Sequence, residues 1–125
     1  MKKNGAKSGI DYKSLILPPA ATVRRAIEVM TGPSGAGIVL VAGKDERLRG
    51  VVVDSDVRKA ILKGLDLSAS IDKVMNPRPV TLSQGISPED VVRFFRANPK
   101  ASIPLVDAAG RVRGLVQMSE YLAQP

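Results

Sequence analysis

The segment Asp54-Ser55-Asp56-Val57-Arg58-Lys59 brings acidic, hydroxyl and basic side chains together at the start of a predicted helix. A helix N-terminus exposes free N–H groups and a partial positive charge, so it attracts an anion. We expect Arg58 and Lys59 in the first turn, where the helix dipole disfavours cations and a bound phosphate would offset that placement. The alternative is structural: Asp54 or Ser55 caps the helix, and Asp54 pairs with Arg58.

Other chemistries find little support in the composition. Cys and His are absent from the 125 residues. Their absence removes thiol nucleophiles, disulfides, and the most common general base and metal ligand. Asp54 and Asp56 resemble a divalent-metal pair, but two carboxylates without further oxygen ligands make a poor cation site. We therefore expect neither catalysis by this chain nor a bound metal.

The charge of the chain suggests an anionic partner, since the net charge is +7 and the isoelectric point is about 10.1. Aromatic residues make up only 3% of the chain, so a nucleic-acid surface would lack base stacking. We expect a solvated face, and no nucleic-acid partner, for the arginines of the first helices, Arg24, Arg25, Arg93 and Arg96. The apolar runs are too short to span a bilayer and none resembles a secretory signal, which predicts a cytoplasmic protein without membrane contact.

The elements that position these residues occur twice. Three matched pairs keep nearly one offset, of 65, 65 and 64 residues, namely Thr22 with Ser87, Ile38 with Ile103, and Gly50 with Gly114. One shift, with a single deletion in a turn, therefore superposes the halves, which is the pattern of an internal repeat. We expect a basic tail over residues 1–9, a first copy over 10–69 and a second copy over 70–125.

Each copy predicts the order strand, helix, strand, strand, helix. Thr22 and Ser87 are good N-caps, and Pro88 suits the first helical position. The predicted strands are Leu15–Leu17, Ile38–Val41 and Val51–Val53 in copy one, and Val80–Leu82, Ile103–Val106 and Val112–Gln117 in copy two. The predicted second helices are Ser55–Leu62 and Ser119–Leu122. A lone copy would leave a sheet face bare, so we expect the two copies to pack together.

The repeat resembles the cystathionine-β-synthase (CBS) domain, and the tandem resembles the paired form called a Bateman module. The family pattern has Pro-apolar-apolar-Asp at a strand end, then Gly-apolar-apolar, then Thr-x-x-Asp at the start of a helix. The chain carries Ile103-Pro104-Leu105-Val106-Asp107, Gly114-Leu115-Val116, and Gly50-Val51-Val52-Val53-Asp54-Ser55-Asp56. The resemblance implies an α+β fold of two β-α-β-β-α repeats with pseudo-two-fold symmetry.

A narrower resemblance concerns the pairs fused N-terminal to sugar-phosphate nucleotidyltransferases. It rests on residues 54–65, on Asp11-Tyr12-Lys13 and on Val74-Met75-Asn76-Pro77. It implies that the chain is either the regulatory part of such an enzyme or a stand-alone relative.

The family resemblance further implies a homodimer and an adenine-nucleotide sensor, whose cleft between the repeats holds AMP, ADP, ATP or an S-adenosyl compound. The Asp of Thr-x-x-Asp accepts from the ribose hydroxyls, the Thr contacts phosphate, and backbone groups before the Pro position hold the base. The residues implied to contact the ligand are Thr22, Ile38, Val53, Asp56, Arg58 and Lys59 in copy one, and Ser102, Ile103, Pro104, Gln117 and Glu120 in copy two.

The match to the family pattern is uneven between the copies. Asp56 keeps the ribose position in copy one, but Val53 stands where Thr is expected. In copy two, Gln117 and Glu120 replace the Thr and the Asp, whereas Pro104 keeps the Pro position. In copy one, we expect Val39 at that Pro position. The cleft that contains Asp56 is therefore the candidate site.

Two further functions stay open at this stage. Degraded motifs in both copies would leave a ligand-free dimerisation module. The net charge would alternatively suit an adaptor that binds anions or nucleic acid.

Overall fold

The structure, a computed structural model, describes residues 9–122, and the chain divides into two compact units. One unit is Lys13–Pro79, and the other comprises residues 80–122 together with residues 9–12. The predicted basic tail therefore lies outside the described residues, apart from Gly9. Within the described part of the chain, no helix is both long enough and apolar enough to cross a membrane.

The first unit contains one three-stranded sheet and two helices. Its elements are β1 (Ile16–Leu17), α1 (Val23–Thr31), β2 (Ile38–Ala42), β3 (Leu48–Val53) and α2 (Asp54–Leu62). Strand β2 is central, parallel to β1 and antiparallel to β3. A short 3-10 helix over Ile71–Lys73 follows α2.

The second unit repeats this order. Its elements are β4 (Leu82–Ser83), α3 (Pro88–Ala97), β5 (Ser102–Val106), β6 (Val112–Gln117) and α4 (Met118–Leu122). Strand β5 is central, parallel to β4 and antiparallel to β6. The α+β class and the β-α-β-β-α order of both repeats are confirmed.

The predicted caps of the first helices are confirmed. Thr22 Oγ1 accepts from the Arg25 N–H at 3.1 Å, and Ser87 Oγ accepts from the Asp90 N–H at 3.1 Å. Pro88 occupies the first turn of α3. The helices therefore begin where a side-chain oxygen satisfies an N–H that has no partner within the helix.

Each unit has its own apolar core between its sheet and its helices. In the first, the stripe of α1 packs on β2 and β3, and Ile71 closes the core from the segment after α2. In the second, Phe95 supplies much of the volume and lies 6.3 Å from the ring of Tyr121. The buried members are Leu17, Val23, Ala26, Met30, Val39, Val41, Val52, Val57 and Ile71 in the first core, and Leu82, Val91, Phe95, Ile103, Leu105 and Val116 in the second.

The strand registers relocate the deletion between the copies. Ile38 pairs with Val53 as Ser102 pairs with Gln117, so the two hairpins match at one offset of 64 residues. Both hairpin loops have five residues, whereas β2 starts 15 residues after the start of α1 and β5 starts 14 after the start of α3. The deletion therefore lies between the first helix and the hairpin.

This register corrects two predicted equivalences, the first of which is that Ile38 corresponds to Ser102 and not to Ile103. Leu40 pairs with Val51 as Pro104 pairs with Leu115, which places Leu40, and not Val39, at the Pro position of copy one. The sequence comparison was wrong by one residue because apolar runs match each other equally well at neighbouring registers.

The C-terminus of α2 ends in a Schellman motif. The Leu65 N–H donates to the Ala60 carbonyl at 3.0 Å, and the Gly64 N–H donates to the Ile61 carbonyl at 2.9 Å. Gly64 has φ +90°, a left-handed conformation that costs a residue without a Cβ little. The turn brings Leu65 onto the first core.

The segment after the 3-10 helix docks on β3 beside Gly50. Val51 and Asn76 exchange two backbone hydrogen bonds, of 3.1 and 2.8 Å. A Cβ on Gly50 would lie 2.6 Å from the Asn76 carbonyl oxygen and 2.8 Å from Met75 Sδ. This close approach therefore depends on the missing side chain of Gly50.

Asp107 organises the hairpin of the second unit. Its Oδ1 accepts from the Ala109 and Arg111 N–H groups, both at 2.9 Å, and its Oδ2 accepts from Arg111 Nε at 2.9 Å and lies 3.3 Å from Arg113 Nε. The hydrogen bond from the backbone N–H of Arg111 is the main cause of the lowered pKa of this carboxyl. The ionised form therefore stabilises the hairpin.

We expect Gly64→Ala to lower the free energy of unfolding by about 1 kcal/mol, because a Cβ is unfavourable at positive φ. No heavy atom lies within 4 Å of the position that this Cβ would occupy, so the cost is conformational rather than steric. Urea unfolding measures it. Gly85→Ala is the matched control: its Cβ also meets nothing within 4 Å, but its φ is not positive. We expect the control to be neutral or stabilising by up to about 1 kcal/mol, and equal losses in both variants would contradict this explanation.

We expect Asp107→Asn to be less stable than the parent at pH 7, and we expect the difference to shrink in acid. A carboxyl whose pKa is lowered by folding contributes its stability above the unfolded-state value, 3.8, and loses it as the pH falls through the folded-state value. Urea unfolding at pH 7 and at pH 3 checks this. A difference that stayed constant or grew on acidification would refute the assigned role.

Candidate functional site

Asp56 joins the end of β3 to the start of α2. Its Oδ2 accepts from the Val53 backbone N–H at 2.9 Å. Val53 is the last residue of β3 and the N-cap of α2, and its apolar side chain cannot accept a hydrogen bond. The Asp56 carboxylate instead accepts from the backbone N–H of this N-cap residue, as in one half of a capping box. Both residues are half-buried. The Oδ1 atom of Asp56 takes no part in this bond.

The predicted placement of Arg58 and Lys59 in the first turn is wrong. Helix α2 begins at Asp54, so they are its fifth and sixth residues, and Lys59 belongs to the last turn. The helix starts earlier than expected because Val53 still pairs with Ile38 in the sheet and then serves as N-cap. The cations therefore do not oppose the dipole at the N-terminus, and no phosphate is needed there to offset them.

The start of α2 is acidic. Asp54 and Asp56 occupy its first turn, where negative charge complements the dipole. Asp54 also forms the predicted ion pair with Arg58, and both side chains are exposed. The predicted ion pair is therefore confirmed, whereas the predicted cap at Asp54 or Ser55 is wrong, because the N-cap residue is Val53. The acidic helix N-terminus is a poor place for an anion.

A groove lies along α2 instead. It has a volume of about 360 Å³ and runs from the first turn of the helix to the segment that follows the 3-10 helix. Two residues predicted to contact a ligand, Asp56 and Lys59, line it together. The remaining lining residues are Ala60, Lys63, Gly64, Leu65, Lys73 and Val74.

The walls of the groove are fixed by contacts described above. Lys59 lies in the last turn of α2, and Lys63, four residues later, is the C-cap residue of that helix. The Schellman turn at Gly64 carries the chain round the helix end and anchors Leu65 in the core. The pairing of Val51 with Asn76 anchors the segment that follows Lys73. The groove is therefore part of the first repeat's own fold.

The electrostatics of the groove are basic. Lys59, Lys63 and Lys73 face a single carboxylate, that of Asp56. Lys59 also lies in the last turn of α2, where a cation complements the carbonyl end of the helix dipole. The arrangement can accept hydrogen bonds at one point and donate charge-assisted hydrogen bonds from three others.

The other predicted residues of copy one have structural partners. The Thr22 hydroxyl is used as the cap of α1, and the Thr22 backbone forms a bridge with Ser70. Ile38 is buried at the start of β2, opposite Val53. None of these contacts places Thr22 or Ile38 in the lining of the groove.

The predicted residues of copy two lie in the second unit. Ser102 and Gln117 are cross-strand neighbours, Ile103 is buried, and Pro104 is buried opposite Leu115. Glu120 lies on α4, three residues after Gln117, with an exposed side chain. Its carboxylate lies against Gly9, where a Cβ would collide with Oε2.

Lys63 and Lys73 were missed by reasoning from the sequence. Lys63 is spaced four residues from Lys59, and Gly64 marks the end of the helix, so the sequence does carry a signal for a basic helix end. Lys73 carries none, because its place beside α2 depends on the docking of Asn76 on β3.

Comparisons with known proteins agree with this fold. The model of the CBS domain matches residues 11–63 and 71–123. Arabinose 5-phosphate isomerase GutQ of Salmonella typhi is 24% identical over 107 residues, which is 84% of this chain but 33% of the isomerase. The chain thus spans about a third of the length of that relative.

Solved structures show the same architecture. The cytosolic domain of the Mg²⁺ channel MgtE, in complex with ATP, has a TM-score of 0.72 and 23% identity over 87% of this chain and 44% of that one. CBSX2, in complex with AMP, has a TM-score of 0.71 and 22% identity over 86% of this chain and 84% of that one. At these identities the likeness concerns the fold. Because the two matches to the family model together cover most of the chain, the protein belongs to the CBS domain family and carries two copies of that domain in tandem.

Proposed function

We propose that this CBS pair is a regulatory module that binds an adenine nucleotide or a related adenosine ligand at the groove along α2. One observation carries the proposal. The carboxylate that stands at the family's ribose position, Asp56, lines a groove together with three lysines. Ribose hydroxyls can donate to a carboxylate, and phosphate oxygens can accept from ammonium groups.

The three lysines of the groove supply the hydrogen-bond donors that the Val53 side chain lacks. A Thr at that position would offer phosphate a hydroxyl, whereas the Val53 side chain has no polar atom. Lys59, Lys63 and Lys73 provide donors along the same groove. The loss of the family's hydroxyl is therefore compatible with phosphate binding in this chain.

The relatives support an adenosine ligand. MgtE was solved with ATP and CBSX2 with AMP, and both share the tandem CBS fold. The proposal extends their ligand class to this chain because Asp56 keeps the position that the family resemblance assigns to ribose. The contacts predicted for Ser102, Ile103, Pro104, Gln117 and Glu120 remain predictions.

Regulation follows if the ligand binds one conformation of the module more tightly than another. The similarity to part of GutQ supports a module that works within or beside a longer enzyme. That this enzyme is a nucleotidyltransferase rests on the resemblance of three segments, namely residues 54–65, Asp11-Tyr12-Lys13 and Val74-Met75-Asn76-Pro77.

We expect the parent protein to gain stability with at least one of AMP, ADP, ATP and S-adenosylmethionine, by about 2.7 kcal/mol at a ligand concentration 100 times the dissociation constant. Asp56→Asn should abolish this gain, because the amide oxygen can keep the bond from the Val53 N–H while an NH2 donor replaces the Oδ1 acceptor that the carboxylate offers to ribose. Thermal unfolding measures both. Asp54→Asn is the matched control, since Asp54 lies in the same turn outside the groove.

The outcomes separate the candidate functions. Loss of the ligand response in both variants would point to a general effect of helix charge and contradict the role of Asp56. No response of the parent to any adenosine ligand would sink the proposal. A response to a DNA duplex that fades steeply with salt would favour the basic adaptor instead.

A dimerisation module is the second candidate, favoured by an exposed apolar end of α2. Leu62 is 87% exposed and Ile61 is 48% exposed. Apolar surface of this kind is often covered by a second subunit. We expect Leu62→Glu to convert a dimer into a monomer in sedimentation velocity, with Val80→Glu, at another exposed apolar residue, retaining the parent's state. A monomeric parent would exclude this role.

A further inference from the structure

The three cations of the groove differ from most of the arginines in how they are neutralised. Six arginines have a carboxylate within 4.0 Å, namely Arg25, Arg49, Arg58, Arg93, Arg111 and Arg113. Among residues 9–122, no such ion pair involves Lys59, Lys63 or Lys73. The groove therefore concentrates positive charge that the described part of the chain leaves largely uncompensated.

The acidic residues nearest in sequence to Lys63 and Lys73 accept hydrogen bonds within local turns. Asp66 Oδ1 accepts from the Ser68 N–H at 2.8 Å, and Asp72 Oδ1 accepts from the Ser70 hydroxyl at 2.5 Å. Neither lines the groove, and Asp56, which does, already accepts from Val53. Carboxylates thus organise the loops around the groove while its lining keeps an excess of two positive charges.

Such an excess discriminates between adenosine ligands by charge. Lys59, Lys63 and Lys73 are exposed. Like charges that line one groove repel one another, and the repulsion is relieved most by a ligand that carries several negative charges. A monophosphate offers about two, a triphosphate about four, and S-adenosylmethionine adds a sulfonium cation. The groove volume of about 360 Å³ lies within the range of small-ligand sites.

We propose that the lysines at positions 59, 63 and 73 form a polyphosphate subsite, so that the module prefers a nucleoside di- or triphosphate to a monophosphate and rejects S-adenosylmethionine. The proposal rests on the proposed function for the adenosine half of the ligand. Local structure sets the backbone positions of the three lysines, because Lys59 lies on α2, Lys63 is the C-cap residue of α2 and Lys73 ends the 3-10 helix over Ile71–Lys73.

Isothermal titration of the full chain with ATP, ADP, AMP, S-adenosylmethionine and inorganic tripolyphosphate tests this. We expect the affinity to fall in the order ATP, ADP, AMP, with no binding of S-adenosylmethionine. We also expect measurable binding of tripolyphosphate, which weakens with salt. Lys63→Gln and Lys73→Gln should each weaken ATP binding by about tenfold, the loss of one charged hydrogen bond, and should affect AMP less.

Lys44→Gln is the matched control, because Lys44 lies in the hairpin turn of the same unit and outside the groove. It should leave the ratio of ATP to AMP affinity unchanged. A control that lowers this ratio as far as the groove variants would overturn the subsite and leave only a net-charge effect. The subsite is also overturned if AMP or S-adenosylmethionine binds as tightly as ATP, although the proposed function survives that result. Binding of tripolyphosphate without any adenosine ligand refutes the proposed function and supports the subsite, and binding of none of the five refutes both.

Discussion

One hydrogen bond, from the Val53 N–H to the Asp56 carboxylate, sets the geometry of the candidate site. It closes the junction where β3 ends and α2 begins, a junction whose N-cap residue has no polar side chain. The same carboxylate lines the groove, so a single residue fixes the direction of the helix and presents an acceptor to a ligand. Removing its charge while keeping an acceptor oxygen is therefore the substitution that separates the two roles.

The far end of α2 is fixed by different means. Gly64 adopts the left-handed conformation that ends the helix, and Leu65 enters the core directly after it. Gly50 admits the backbone of Asn76, which holds the following segment on β3. Two glycines thus shape the groove although neither offers it a functional group: Gly64 adopts a positive φ, and Gly50 allows a backbone approach that a larger residue would block.

Local signals made much of this fold predictable. Thr22 and Ser87 are good N-caps and so predicted where the first helices begin. The apolar periodicity predicted both hairpins to within a residue or two. The register between the copies was less accessible, because a run such as that of β2, whose residues are all buried, matches its counterpart equally well one residue away. Only the cross-strand pairing showed that Leu40 takes the place of Pro104. Lys73 could not be assigned to the groove for a related reason, since its position depends on a tertiary contact.

The contact between Gly9 and Glu120 means that the second repeat is built from two stretches of chain. Residues 9–12 belong with residues 80–122, and the whole of the first repeat is nested between them. A cut in the linker would consequently not release two complete halves, because the downstream piece would lose residues 9–12 and with them the contact of Gly9 with Glu120. The second repeat is thus discontinuous in sequence, whereas the first is one continuous stretch, Lys13–Pro79.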